Sequence, residues 1–176
     1  MAKRKKHRTS TQRDAPALAD QILAAINQAN ELVTDGRYEE AVQLLEPLAA
    51  RYHRQMELQG LLGSAYAGAG KLWEGVVQYE NALALKRDAD MLVSLGFLYS
   101  RLDFQVLALG AFRQAIKSGA REPLRSELLE YALGLEDYIL EVSREMHLSP
   151  EKTIKGLRLM EEGQIALHRE AYPRSI

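Results

Sequence analysis

The 176-residue chain has no cysteine, one tryptophan, 7% aromatic residues and five prolines. Without cysteine there are no disulfides, no thiol catalysis and no cysteine-rich zinc sites. The redox compartment is left open, and a cytoplasmic location is the default expectation. No apolar run reaches the roughly 18 residues of a membrane span, and the N-terminus lacks the apolar stretch of a signal peptide. Catalytic groupings are scarce as well. His7, His53, His147 and His168 are scattered, with no pair at helical ligand spacing, so a metal site is not expected. Glu39-Glu40, Glu136-Asp137 and Glu161-Glu162 are sequence neighbours that point to different sides of a helix, which suits solvated charges better than an acid/base pair. Gly63, Gly68, Gly70 and Gly75 do not have the spacing of a phosphate loop. The expectation is a non-enzymatic protein without cofactor.

What is present begins with charge. The chain balances 23 bases against 24 acids, yet Lys3, Arg4, Lys5, Lys6, Arg8 and Arg13 all precede the first acid, Asp14. Residues 14–176 therefore carry 17 bases and 24 acids, a formal −7. The opening block, with Thr9 to Gln12 behind it, is too polar to pack and reads as a disordered basic arm over 1–14. A solvated tail is the plainer reading. The functional alternative is a tether in which Lys3, Arg4, Lys5, Lys6 and Arg8 contact phosphate, making the chain a nucleic-acid-associated adaptor.

From residue 15 onward the pattern is helical and periodic. Leu62-Gly63, Tyr66, Gly75, Tyr79 and Ala82 return as Leu95-Gly96, Tyr99, Ala108, Phe112 and Ala115, and Ala29, Leu32, Ala41, Leu45 and Leu48 form a fainter copy ahead of them. Small residues recur at 29, 63 and 96 and again at 41, 75 and 108. A period of 33 to 34 residues marks a repeat protein in which two antiparallel helices per repeat stack on the next pair. Turn residues place helices near 16–34, 38–52, 55–69, 72–86, 90–102 and 105–118, with a bend expected at Pro47 and a left-handed cap at Gly119.

These residues resemble the tetratricopeptide repeat, closely over 57–118 and more weakly over 20–53. Gln59 and Leu92 stand where that family often has Trp, Gly75 where Ala is usual, and Arg87 and Ala120 where a Pro closes the repeat. The resemblance implies an all-α, right-handed superhelix of stacked antiparallel helix pairs, an α-solenoid with repeats at about 20–53, 55–87 and 89–120. A long helix over about 122–146 follows, with its apolar stripe on Leu128, Leu135, Ile139 and their neighbours.

Two readings apply to residues 150–176. Gly163 lies 67 residues after Gly96, so the segment reads as the start of a further repeat, with Tyr172, Ser175 and Ile176 opening its second helix. The chain is then a fragment or shortened relative of a longer array, and self-association through the incomplete repeat follows. Alternatively, Leu157, Met160, Ile165 and Leu167 fold back as a cap.

By the same resemblance, function belongs on the concave face, lined by the first helix of each repeat. Asn27, Asn30, Leu61, Ser64, Ser94, Phe97 and Arg101 are the candidate binding residues, and Gly60, Ser64, Ala67 and Gly68 form a floor without bulk. Phe97 and Arg101 are types common at binding hot spots. The clamp by which some family members hold acidic chaperone tails is not matched: Asn30 fits, but Ile26, Leu61, Asp90 and Ser94 occupy the other positions. Trp73 falls outside the repeat signature, packed or partner-anchoring. The functional expectation is a scaffold that binds a peptide or helix of a partner protein, with a structural segment of a longer array as a further alternative.

Overall fold

The computed structural model describes residues 14–171, with side chains from 20 to 170. Residues 1–13 of the basic arm, and Tyr172, Ser175 and Ile176, lie outside them. All the described regular structure is helical: α1 (Asp14–Thr34), α2 (Tyr38–Arg51), α3 (Met56–Gly68), α4 (Leu72–Leu85), α5 (Ala89–Arg101), α6 (Gln105–Lys117), α7 (Leu124–Glu145) and α8 (Pro150–Ala171). The first six boundaries match the turn residues closely. α2 runs helically through Pro47, which sits exposed.

One turn recurs at the repeat period. Gly36, Gly70 and Asp103 adopt positive φ of 74°, 77° and 60° at the ends of α1, α3 and α5. In each case the next residue's N–H reaches back to the helix, from Arg37 to Leu32, Lys71 to Tyr66 and Phe104 to Tyr99. These bonds satisfy carbonyls that a helix end leaves open. Gly119, at φ 99°, closes α6 in the same way through Ala120 N–H and the Ala115 carbonyl.

The small residues of the period mark the places where helices close on one another. A Cβ on Gly63 would lie 3.2 Å from the Tyr79 ring, and one on Gly96 would lie 2.5 Å from Phe112. Tyr79 and Phe112 thus each pack against the glycine of their own first helix, and Ala29 and Leu45 are fully buried at the equivalent places in the first repeat. A polar seam repeats as well. The Tyr66 hydroxyl donates to Glu46, and the Tyr99 hydroxyl to Glu80 at 2.7 Å, so each tyrosine ties its helix to the second helix of the preceding repeat. Burial first, then the neighbouring carboxylate, pushes the Tyr66 phenol up; burial, with Glu161 and Glu162, pushes Tyr99 up to about 12. Both phenols therefore remain protonated donors at neutral pH.

Successive helices pack as pairs, in the manner of a solenoid. α1, α3 and α5 also touch along their row, whereas α2, α4 and α6 are splayed. This more closely packed row of α1, α3 and α5 is the inner row. Two buried clusters fill the stack, one built from Ala29, Leu45, Leu58 and Leu62, the other from Val76, Leu95, Phe104 and Phe112 with Leu128 and Ile165 at its edge. A third joins Val106 and Leu109 of α6 to Ala132 and Ile139 of α7 and is flanked by Ile154 and Leu157 of α8.

The last two helices depart from the repeat. Each has 22 residues, against 13 or 14 for α2 to α6. α8 is continuous through Gly163, and a Cβ there would meet nothing within 4 Å, unlike the crowded Gly96. α8 turns back onto α7 and α6, burying Thr153, Glu161 and Ile165 while Met160 and Leu167 stay exposed. Glu161 accepts from the backbone N–H groups of Val106, at 3.0 Å, and Leu107, at 2.8 Å. α6 has no side-chain cap of its own at Phe104, so this carboxylate caps it from 55 residues away. Further on, His168 stacks on Trp73 with ring centroids 4.4 Å apart, and Arg169 pairs with Glu80. Trp73, read from sequence as packed or partner-anchoring, is therefore packed by the chain itself and half-buried.

Candidate functional site

The inner row presents α1, α3 and α5, and α7 stands at its C-terminal end. Of the residues expected to bind, Asn27 and Asn30 are exposed on α1, Leu61 and Ser64 are half-buried on α3, and Ser94 is half-buried on α5, with Phe97 and Arg101 exposed one turn further on. Several already have local partners. The Ser94 hydroxyl donates to the Asp90 carbonyl at 3.1 Å, as is common for a serine inside a helix. Leu61 packs against the first-repeat cluster. Arg101 donates to the Ala67 carbonyl at 3.4 Å, which ties α5 to the last turn of α3 and fixes the guanidinium on the inner surface.

The floor without bulk is partly filled. A Cβ on Gly60 would run into the end of the Met91 side chain, and one on Gly68 into the Tyr38 ring. Both glycines serve repeat-to-repeat packing, because Met91 reaches across from α5 and Tyr38 from α2. Ser64 and Ala67 remain half-buried between them. The sequence marks the small residues, but not the side chains from other repeats that occupy the space they leave.

Phe97 is the centre of an aromatic group. Its ring meets Phe112 edge-on at 5.1 Å and Tyr131 of α7 at 5.2 Å. Such T-shaped contacts add about 0.5–1.5 kcal/mol each beyond area burial. Phe97 nevertheless stays 37% exposed and Tyr131 52% exposed. α7 thus buttresses Phe97 without covering it. Tyr138, one heptad beyond Tyr131 on the same side of α7, is also exposed. Neither tyrosine was among the residues expected to bind; the seven-residue spacing of the two was the available signal.

Two surface depressions lie elsewhere. One is lined by Gln28, Glu31, Asp35, Arg37, Glu40 and Gln43 at the junction of α1 and α2, where Arg37 and Glu40 are paired at 2.6 Å. Another lies on α7, between Gly134, Asp137, Tyr138 and Glu141. Neither contains one of the seven expected groove residues. Among the described residues no group of three or more His, Asp or Glu side chains is placed to hold a metal ion, and no helix is long and apolar enough to cross a membrane.

Compared with protein-family models, the sequence matches none, and it matches no curated protein.

Proposed function

We propose that the chain is a tetratricopeptide-like, right-handed superhelical scaffold that binds a peptide or helix of a partner protein on its inner face, without catalysis or cofactor, in the cytoplasm. The observation that carries this reading is the aromatic pair Phe97 and Tyr131, both exposed although ringed by packed neighbours. Exposed aromatics held in place from behind offer contact area at little ordering cost on binding. Arg101, tethered to Ala67, adds fixed donors one turn away. Asn27, Asn30 and Ser64 supply polar contacts further along the row.

The test is affinity capture with the intact chain, with a deletion of residues 1–13, and with Phe97→Glu and Arg101→Glu variants, each with and without nuclease and each checked for unchanged helicity. Partners lost with Phe97→Glu and retained on arm deletion support the inner face as the working surface. Partners lost on arm deletion or nuclease treatment, and untouched by both groove variants, would replace this reading with the nucleic-acid adaptor.

A further inference from the structure

We infer that the face of α7 carrying Tyr131 and Tyr138 docks a lysine- and arginine-rich segment of the partner protein, gripping cationic side chains between aromatic rings and carboxylates. This rests on the groove reading for its location and adds the chemical class of the occupant.

The argument starts from the register of α7. Tyr131, Gly134 and Tyr138 follow at steps of three and four residues and so share one side of the helix. Tyr131 is 52% and Tyr138 46% exposed. Between them a Cβ on Gly134 would meet nothing within 4 Å, which leaves an open notch beside Tyr138. That notch belongs to the depression whose walls include Asp137, Tyr138 and Glu141. Glu127 and Glu130 flank Tyr131 at steps of four and one, and both are exposed.

Charge selects the occupant. α7 carries six acids and two arginines. Glu136 is matched by Arg113 at 2.7 Å. Of the arginines of α7, Arg144 borders the depression at its far end. Against Arg144, the four acids Glu127, Glu130, Asp137 and Glu141 leave the tyrosine face net negative. Along the inner row, exposed Glu57 and Asp90 open α3 and α5 with the same sign, and Arg101, tied to the Ala67 carbonyl, is the opposing charge near Phe97. An acidic segment would be repelled along this path. A purely apolar one would leave the carboxylates partly desolvated without partners. A basic one places its cations over tyrosine faces within reach of carboxylates, the arrangement in which cation–π and charge-assisted contacts reinforce each other.

The experiment uses the full chain and three pools of short randomised fluorescent peptides of equal apolar content, one rich in Lys and Arg, one rich in Asp and Glu, one uncharged, with anisotropy as the readout. The basic pool is expected to bind about tenfold more tightly than either other pool at physiological salt, and to weaken as salt rises. Glu130→Gln/Glu141→Gln and Tyr131→Ser/Tyr138→Ser variants are each expected to remove most of that preference. A Glu39→Gln/Glu40→Gln control, which makes the same charge change on α2, is expected to leave it intact. Equal binding of the pools, or equal loss in the α2 control and the α7 variants, would overturn the inference. If an uncharged pool binds in a Phe97-dependent way without basic preference, the groove stands and only this inference falls. If no pool shows Phe97-dependent binding, the groove falls with it.

Discussion

Residues 56–117 form two helix pairs and residues 124–171 one, all packed on neighbours, yet the two regions hold together by different means. In the first region the contacts are keyed by period: Gly63 under Tyr79, Gly96 under Phe112, Tyr66 on Glu46 and Tyr99 on Glu80. In the second, Gly134, Gly156 and Gly163 all face open space, and the decisive contacts are singular: Glu161 on the start of α6, His168 on Trp73, Tyr131 on Phe97. A small residue brings helices together only where a large one is held in register opposite it. Where the period lapses, glycine loses that role and long-range polar and ring contacts replace it.

The largest expected effect breaks the periodic side. Phe112→Ala empties a site that is 1% exposed and central to its cluster, and should cost about 3–5 kcal/mol in urea unfolding. Next comes Gly96→Ala, which places a methyl group 2.5 Å from that same ring and should cost about 1–3 kcal/mol by overpacking. On the other side, Glu161→Ala leaves two amides at the start of α6 without acceptors, a cost of about 1–3 kcal/mol. Its signature is local. Hydrogen exchange should quicken at Val106 and Leu107 and along α8 while the first repeat is unchanged. Gly163→Ala should then reverse the sign seen at Gly96, raising stability by about 0.5–1 kcal/mol, since the helix gains a better former and the methyl meets nothing.

The smallest effect is a pH dependence. Burial holds the Glu161 carboxyl above its ordinary range, and the N–H groups of Val106, Leu107 and Gln105 oppose that shift without cancelling it. The folded state therefore binds this proton more readily than the unfolded chain does. The stabilising contribution is complete below the ordinary carboxylate value and is lost as pH rises through the raised one. Urea midpoints should accordingly favour the wild type over Glu161→Gln more in acid than at neutrality. The opposite trend would show that the three amides outweigh burial.

Much of the stack was legible because it obeys local and periodic rules. The turns at Gly36 and Gly70 read directly from glycine after a helical run, and Asp103 takes the third such turn without one. The candidate site was less legible. Phe97 and Arg101 are fixed by spacing within one helix, but their surroundings are not. Gly60 and Gly68 read as open floor, since nothing in the sequence tells that Met91 and Tyr38 reach over them. Tyr131 stands 34 residues after Phe97, one period on, and was missed because the small and aromatic residues that mark the repeat lapse in α7.

By itself the sequence determined the helices, their pairing and the residues at which each pair closes, because a 33- to 34-residue period and the size contrast of glycine and aromatics are local properties repeated along the chain. Only the tertiary structure decided that α8 turns back to cap α6 and pack on Trp73, and that α7 flanks Phe97 with its tyrosines outward. Those contacts join residues tens of positions apart, once each. A contact made once leaves no periodic trace, and a carboxylate such as Glu161 looks like any solvated helix charge until folding carries it to the amides it accepts from.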